Sequence, residues 1–175
     1  MRPTRRHELI VLTIAQVESP EQIAAVRELL DEYFAWTRTI EVDAMDAPTF
    51  HGLEAEMASL PGAFAPPFGR LLLATYVGQP AGCVAFKRVD DATCELKRFY
   101  VRPMLRGRNI GRELVHRLVD EARSSGYTGI VLDSHISMTS AHHIYRDFGF
   151  RQVPAPADFP ERLKPVVVFM RADLT

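Results

Sequence analysis

Residues 97–112 carry six Lys or Arg side chains and no Asp or Glu, in a chain whose net charge is −1. The run stands where a strand-like pattern gives way to a long helical one. The first N–H groups of a helix have no internal acceptor, and the helix dipole makes that end attractive to anions. Arginines add charge-assisted hydrogen bonds. Gly107 and Gly111 would let a phosphate come close to the backbone. This composition points to a phosphate-bearing ligand, with a basic surface turn as the plain alternative. The segment Arg106-Gly107-Arg108-Asn109-Ile110-Gly111 lacks the Lys-Ser/Thr pair of a P-loop and the three-glycine spacing of a dinucleotide-binding turn.

Other reactive side chains show no such pattern. Cys83 and Cys94 form neither a CxxC nor a Cys/His ligand motif, and read as reduced thiols in or near a core. His142 and His143 are adjacent, so a helix points them apart; no metal is expected. The chain has 175 residues, 47% hydrophobic and 25% charged. That suits one folded domain over residues 1–175 and argues against disorder. The near-neutral charge argues against a general nucleic-acid binder, although the arginine-rich run leaves a local contact open. Arg2, Arg5 and Arg6 precede the apolar run Leu9-Ile10-Val11-Leu12, but Glu8, Gln16 and Glu18 and the missing small-residue cleavage pattern favour a first strand over a signal peptide. No apolar stretch approaches a membrane span. A cytoplasmic protein is expected.

Several elements must hold that segment in place. Ser19-Pro20-Glu21-Gln22 is a capping box, and Ile23, Val26, Leu30 and Tyr33 recur at helical spacing, giving a helix to about residue 36. Phe50, Leu53, Met57 and Leu60 suggest a second helix. Strand-like runs follow at residues 71–77, 82–89 and 94–101, joined by breaks short enough for hairpins. A long helix over residues 108–125 buries Ile110, Leu114, Val115, Leu118, Val119 and Ala122. A strand over 130–133, a short helix over 140–148 and strands at 150–153 and 166–170 complete the order. The class is α+β, with a partly parallel sheet around the long helix. Strict alternation over 94–101 puts Glu95, Lys97, Phe99 and Val101 on one face.

The loop 106–111 resembles the [QR]xxGx[GA] loop of the GNAT superfamily of N-acetyltransferases, with Asn109 standing where its first glycine is expected. The order around it agrees: ELKRFYV, RPMLRGRNIG, REL, GIVLDS and SAHHIYRDFGF. The resemblance is clear over residues 71–153 and extends to the closing VVVFMRADL. It implies a mixed, mainly antiparallel sheet flanked by helices, with a parallel strand–helix–strand unit at the cofactor site. It implies acetyl-CoA as co-substrate, held by Phe99, Tyr100, Val101, Arg106, Gly107, Arg108, Asn109, Ile110, Gly111 and Arg112. Tyr145, in the segment matching LYxxxGF, would protonate the departing sulfur; an aromatic packed on Phe148 and Phe150 is the alternative. Glu95 sits where family members often carry a catalytic glutamate, with a surface pair to Lys97 as the alternative. Asp133 and His135 are further candidates for the base. Met138 stands where many relatives have asparagine.

Residues 39–69 hold Glu41, Asp43, Asp46, Glu54 and Glu56 and no Lys or Arg. Such a rim would steer a cationic amine, or simply be a solvated face. The loop with Phe64 and Phe68 covers substrate or clasps the sheet. The expected activity is acetyl transfer to a primary amine of a small molecule or peptide; a non-catalytic acyl-CoA-binding module of the same fold is the alternative. A homodimer is compatible with the sequence, and neither nucleic acid nor membrane is expected as partner.

Overall fold

The computed structural model describes residues 11–40 and 51–174. Its first strand, β1 (Leu12–Gln16), alternates half-buried and exposed side chains. It starts at the end of the apolar run read as a strand; Leu9 and Ile10 lie outside the described residues. Ser19 and Gln22 then close the anticipated box. Gln22 N–H donates to Ser19 Oγ at 3.2 Å, and Ser19 N–H donates to Gln22 Oε1 at 3.0 Å. Helix α1 (Pro20–Ile40) runs four residues past the expected end and buries Val26, Leu29, Leu30 and Phe34. Helix α2 (Leu53–Ser59) is short; Phe50 is not among the described residues.

Strands β2 (Arg70–Tyr76), β3 (Gln79–Arg88) and β4 (Thr93–Val101) form an antiparallel meander. The first turn is Val77-Gly78, both at positive φ (47° and 77°), the pattern of a type I′ hairpin. In the second, Asp90 Oδ1 accepts the N–H groups of Ala92 and Thr93, each at 2.8 Å. Helix α3 (Ile110–Ser124), strand β5 (Gly129–His135), helix α4 (Thr139–Asp147) and strands β6 (Arg151–Val153) and β7 (Val167–Asp173) follow.

The sheet order is β1-β2-β3-β4-β5-β7-β6, antiparallel except between β4 and β5. Period-two alternation sends one set of side chains to each face. Leu72, Ala74, Val84, Phe86, Cys94 and Leu96 pack with α3 residues Leu114, Val115 and Leu118. Leu71, Leu73, Cys83 and Ala85 pack with α1 residues Val26, Leu29 and Leu30. Phe64 is fully buried in this second cluster, so its loop clasps the sheet.

Two irregularities shape the site. The parallel pairing of β4 and β5 covers only Thr93↔Gly129, Cys94↔Ile130 and Glu95↔Val131. Beyond it β4 stays on β3 as far as Val101, β5 stays on β7 as far as His135, and the sheet forks. The second is a β-bulge. Cys83 faces Tyr100 and Ala85 faces Lys97, so Arg98 and Phe99 oppose Val84 alone, and Arg98 takes φ 59°. The bulge corrects the expected alternation. Glu95 and Lys97 do not share a face with Phe99 and Val101, because one extra residue reverses the side-chain direction. Phe99 and Val101 belong to the α3 side, and Tyr100 to the α1 side.

Candidate active site

The basic segment descends from β4 through one 3-10 turn, Pro103–Leu105, into α3. Gly107 adopts φ 76°, and Asn109 caps the helix at φ 65°. Asparagine tolerates this left-handed conformation better than most non-glycine residues, so the turn survives without the glycine. The Asn109 side-chain amide donates to Glu113 Oε1 at 2.9 Å. The first N–H to bond into the helix is that of Glu113, to Asn109 O at 3.1 Å. No described residue accepts from the N–H groups of residues 107–112. Six donors near the positive end of a helix dipole are therefore without a partner among the described residues. Gly111 also serves packing: a Cβ there would sit 3.0 Å from Phe99 Cζ and 3.3 Å from Ile144 Cδ1, so those side chains would have to give way.

Gly107, Asn109, Ile110, Gly111 and Arg112 border a cavity of about 580 Å³ lying in the fork. Its walls include Phe99, Tyr100, Val101, Arg106, Gly107, Asn109, Ile110, Gly111 and Arg112. Arg108 does not line it; its guanidinium lies over the Tyr76 ring at 5.4 Å and donates to Tyr76 Oη at 3.3 Å. Arg106 Nε donates to Val101 O at 3.1 Å, and its head group lies 5.9 Å from the Trp36 ring centre. Arg112 pairs with Asp147 at 2.5 Å and lies over Phe148. The opposite wall comes from Tyr33 and Trp36 on α1 and from Ser137, Met138, Thr139 and Ser140 at the start of α4. Of these the sequence singled out only Met138, for the asparagine that many relatives carry there. Tyr33 and Trp36 are three apart on one helix face, and the hydroxyl run before α4 was the legible signal.

A smaller cavity of about 80 Å³ adjoins it, sharing Tyr33, Phe99, Met138 and Ala141. Tyr145 lines this space at 4% exposure, its ring 5.8 Å from Phe99 and 5.6 Å from Phe150. Its hydroxyl has no partner among the described residues, and no fully buried side-chain polar atom there is left unpaired, so the hydroxyl reaches open space. Burial, and then the nearby Tyr33 and Asp133, push the Tyr145 pKa up, keeping the phenol protonated at neutral pH. Asp133 and His135 line the same cavity. Glu95 lines neither; its carboxylate meets Lys97 Nζ at 2.9 Å and Lys87 Nζ at 3.6 Å.

Of the acidic rim, Glu56 is bound to Arg98 at 2.6 Å and Glu54 is exposed, while Glu41, Asp43 and Asp46 lie outside the described residues. His142 is buried and its Nε2 lies 3.0 Å from Ser134 Oγ, whereas His143 is exposed. Among the described residues no His, Cys, Asp and Glu group is arranged to hold a metal ion, and no helix is long and apolar enough to cross a membrane.

A forked sheet with unpaired amides at one end and a buried phenol at the other suits an acyl-CoA-dependent transferase: one end suits a diphosphate, the other a thioester. The sequence model of the acetyltransferase (GNAT) family matches residues 23–150, and the chain belongs to that family of acetyl-CoA-dependent enzymes. It is 31% identical to an N-acetyltransferase of Schizosaccharomyces pombe, over 94% of this chain and 96% of that one. It is 34% identical to an IAA acetyltransferase of Azospirillum brasilense, over 79% and 84%. Among solved structures it resembles an acetyltransferase from Streptococcus agalactiae, with TM-score 0.71 and 25% identity over 94% of this chain and 99% of the other.

Proposed function

We propose that this enzyme moves the acetyl group of acetyl-CoA onto a primary amine of a small molecule or peptide by direct attack, with Tyr145 as the general acid. The observation that carries this reading is the continuity of the fork, from the unpaired N–H groups of residues 107–112 to the cavity beneath Tyr145. The residues present fit the co-substrate. The amides of residues 107–112 and the Arg106 and Arg112 head groups suit its diphosphate. The edge of β4 at Phe99–Val101, left by β5, suits the amides of its pantetheine arm. When bound it supplies an acetyl thioester.

The chain's residues then have three tasks. The fork aligns amine nitrogen and thioester carbon, which can account for several kcal/mol of barrier lowering. A base removes the amine proton as the C–N bond forms. Asp133 is better seated for this than Glu95, because Asp133 lines the cavity. Tyr145 gives its proton to the sulfur as the C–S bond breaks, and regains one from solvent.

The test is Tyr145→Phe. Turnover, followed as free thiol, is expected to fall by about 10²–10⁴. The affinity for acetyl-CoA is expected to stay within about twofold, read from the fluorescence of Trp36, the sole tryptophan. Unchanged turnover at saturation removes Tyr145 from the chemistry. Binding of acetyl-CoA without turnover on any amine favours a non-catalytic acyl-CoA-binding module.

A further inference from the structure

Most side-chain donors that line the inner cavity are already engaged. Thr37 Oγ1 donates to Phe34 O at 2.9 Å, and Lys97 and Arg98 are held by carboxylates. Ser134 Oγ lies 3.0 Å from His142 Nε2, and His135 Nδ1 lies 2.7 Å from Ser137 Oγ. Two phenols remain, Tyr33 and Tyr145, whose hydroxyls have no partner among the described residues. No fully buried side-chain polar atom there is left unpaired, so the Tyr33 hydroxyl, like that of Tyr145, reaches open space. Tyr145 has a task in the reaction above; Tyr33 has none. Yet Tyr33 lines the outer cavity as well as the inner one, which places it at the passage between them. It comes from the opposite side of the sheet, packing with the α1-side core while Tyr145 packs with the α3-side core. Its ring is fixed by Phe34, Trp36 and Tyr100, whose ring centres lie 5.2, 6.2 and 5.6 Å away. Burial pushes its pKa up to about 12, with Arg98 opposing and Asp133 helping, so the phenol keeps its proton at neutral pH and serves as a donor. After burial, Tyr33 is the next cause that raises the Tyr145 pKa, as two hydroxyls facing one space would have it.

When an amine attacks a thioester, negative charge builds on two atoms. The carbonyl oxygen gains it as the C–N bond forms, and the sulfur as the C–S bond breaks. Tyr145 serves the sulfur. We infer that Tyr33 is a second catalytic residue, whose hydroxyl donates a hydrogen bond to the acetyl carbonyl oxygen. This rests on the acetyltransferase reading above and adds to it the group that meets the charge on oxygen. Oxygen and sulfur are bonded to the same carbon, so their donors must approach from different sides, as phenols held by opposite faces of the fork do. Tyr33 keeps its proton throughout, while the amine proton goes to the base and the Tyr145 proton to the sulfur. A donor fixed by packing in an enclosed space interacts more strongly with the developing charge than with the neutral carbonyl, and that difference is what lowers the barrier.

The experiment binds acetyl-CoA, isotope-labelled at its carbonyl carbon, to the full wild-type chain and to Tyr33→Phe, and reads the carbonyl stretch by difference infrared spectroscopy. The phenylalanine keeps the ring and its packing. The band is expected at lower frequency in the wild type, because a hydrogen bond to the oxygen weakens C=O. Acetyl-CoA affinity, titrated by Trp36 fluorescence, should stay within about threefold. Turnover of the variant should fall by about 10²-fold, with the KM for the amine nearly kept. Should Tyr33→Phe fail to fold, a fluorotyrosine incorporated in place of Tyr33 keeps the contacts, and its more acidic phenol should lower the band further. An unmoved band, or unchanged turnover at saturation, overturns the inference and leaves the acetyltransferase reading intact. So does a raised KM for the amine with kcat kept, which puts Tyr33 on the acceptor instead. Binding of acetyl-CoA with no amine acetylated by the wild type overturns both, since Tyr33 then has no reaction to serve.

Discussion

Two carboxylates flank one lysine, and their positions differ in a way that decides what each can do. Lys97 Nζ lies 2.9 Å from Glu95 and 3.3 Å from Asp133, yet only Asp133 shares the cavity with Tyr145. A base must come within hydrogen-bond reach of the proton it takes, or reach it through one water. Asp133→Asn is therefore expected to lower kcat/KM by about 10²–10³ and to flatten the acidic limb of its pH profile. Glu95→Gln should keep the limb. A lost limb in Glu95→Gln with an intact one in Asp133→Asn would reverse the assignment. The two residues were both legible as candidates in the sequence. Their ranking was not, because regular alternation was read through Arg98, and a bulge depends on pairing with β3 rather than on local residue type. Tyr145 was found through its motif; its burial depends on Phe99 and Phe150, distant or adjacent in sequence but joined only by the fold.

Helix periodicity carried most of the architecture. Alternation in β2 and the 3.6-residue spacing of α1 and α3 sort their apolar residues onto two faces, and those faces are the two cores. Boundaries were less legible. The β2–β3 turn falls on Val77-Gly78 rather than on Gly78-Gln79-Pro80, since a valine at positive φ is not a turn signal. The start of α3 shows what local reading can miss. Gly111 was valued for access to phosphate, but its hydrogen also makes room for the Phe99 ring and Ile144. Gly111→Ala should displace the helix start. We expect a stability loss of about 1–2 kcal/mol in denaturant melts and a raised KM for acetyl-CoA with kcat nearly kept. A variant with unaltered stability and KM would show that Phe99 yields freely.

At the scale of the molecule, neither core explains the cleft; the fork does. Pairing between β4 and β5 stops at Glu95↔Val131, a property of tertiary register that no single segment encodes. The α1 wall of the cavity, Tyr33 and Trp36, was hidden for the same reason. Beyond the fork, α4 rests on β5 partly through buried His142 and Ser134. Burial holds the His142 pKa below 6.5, with Arg146 adding to the effect. Unfolded chains bind that proton near pH 6.5, so the unfolded state holds more protons just below it. Stability is thus full above pH 6.5 and declines as the pH falls from there. His142→Gln should shallow that decline in melting temperature; an identical slope would assign it to other groups.

Three residue pairs join the β1–β4 portion of this sheet to the β5–β7–β6 portion. So short a seam leaves the width of the fork to side chains on its two banks rather than to backbone pairing. Substitutions on either bank therefore offer laboratory evolution a cleft to widen or narrow.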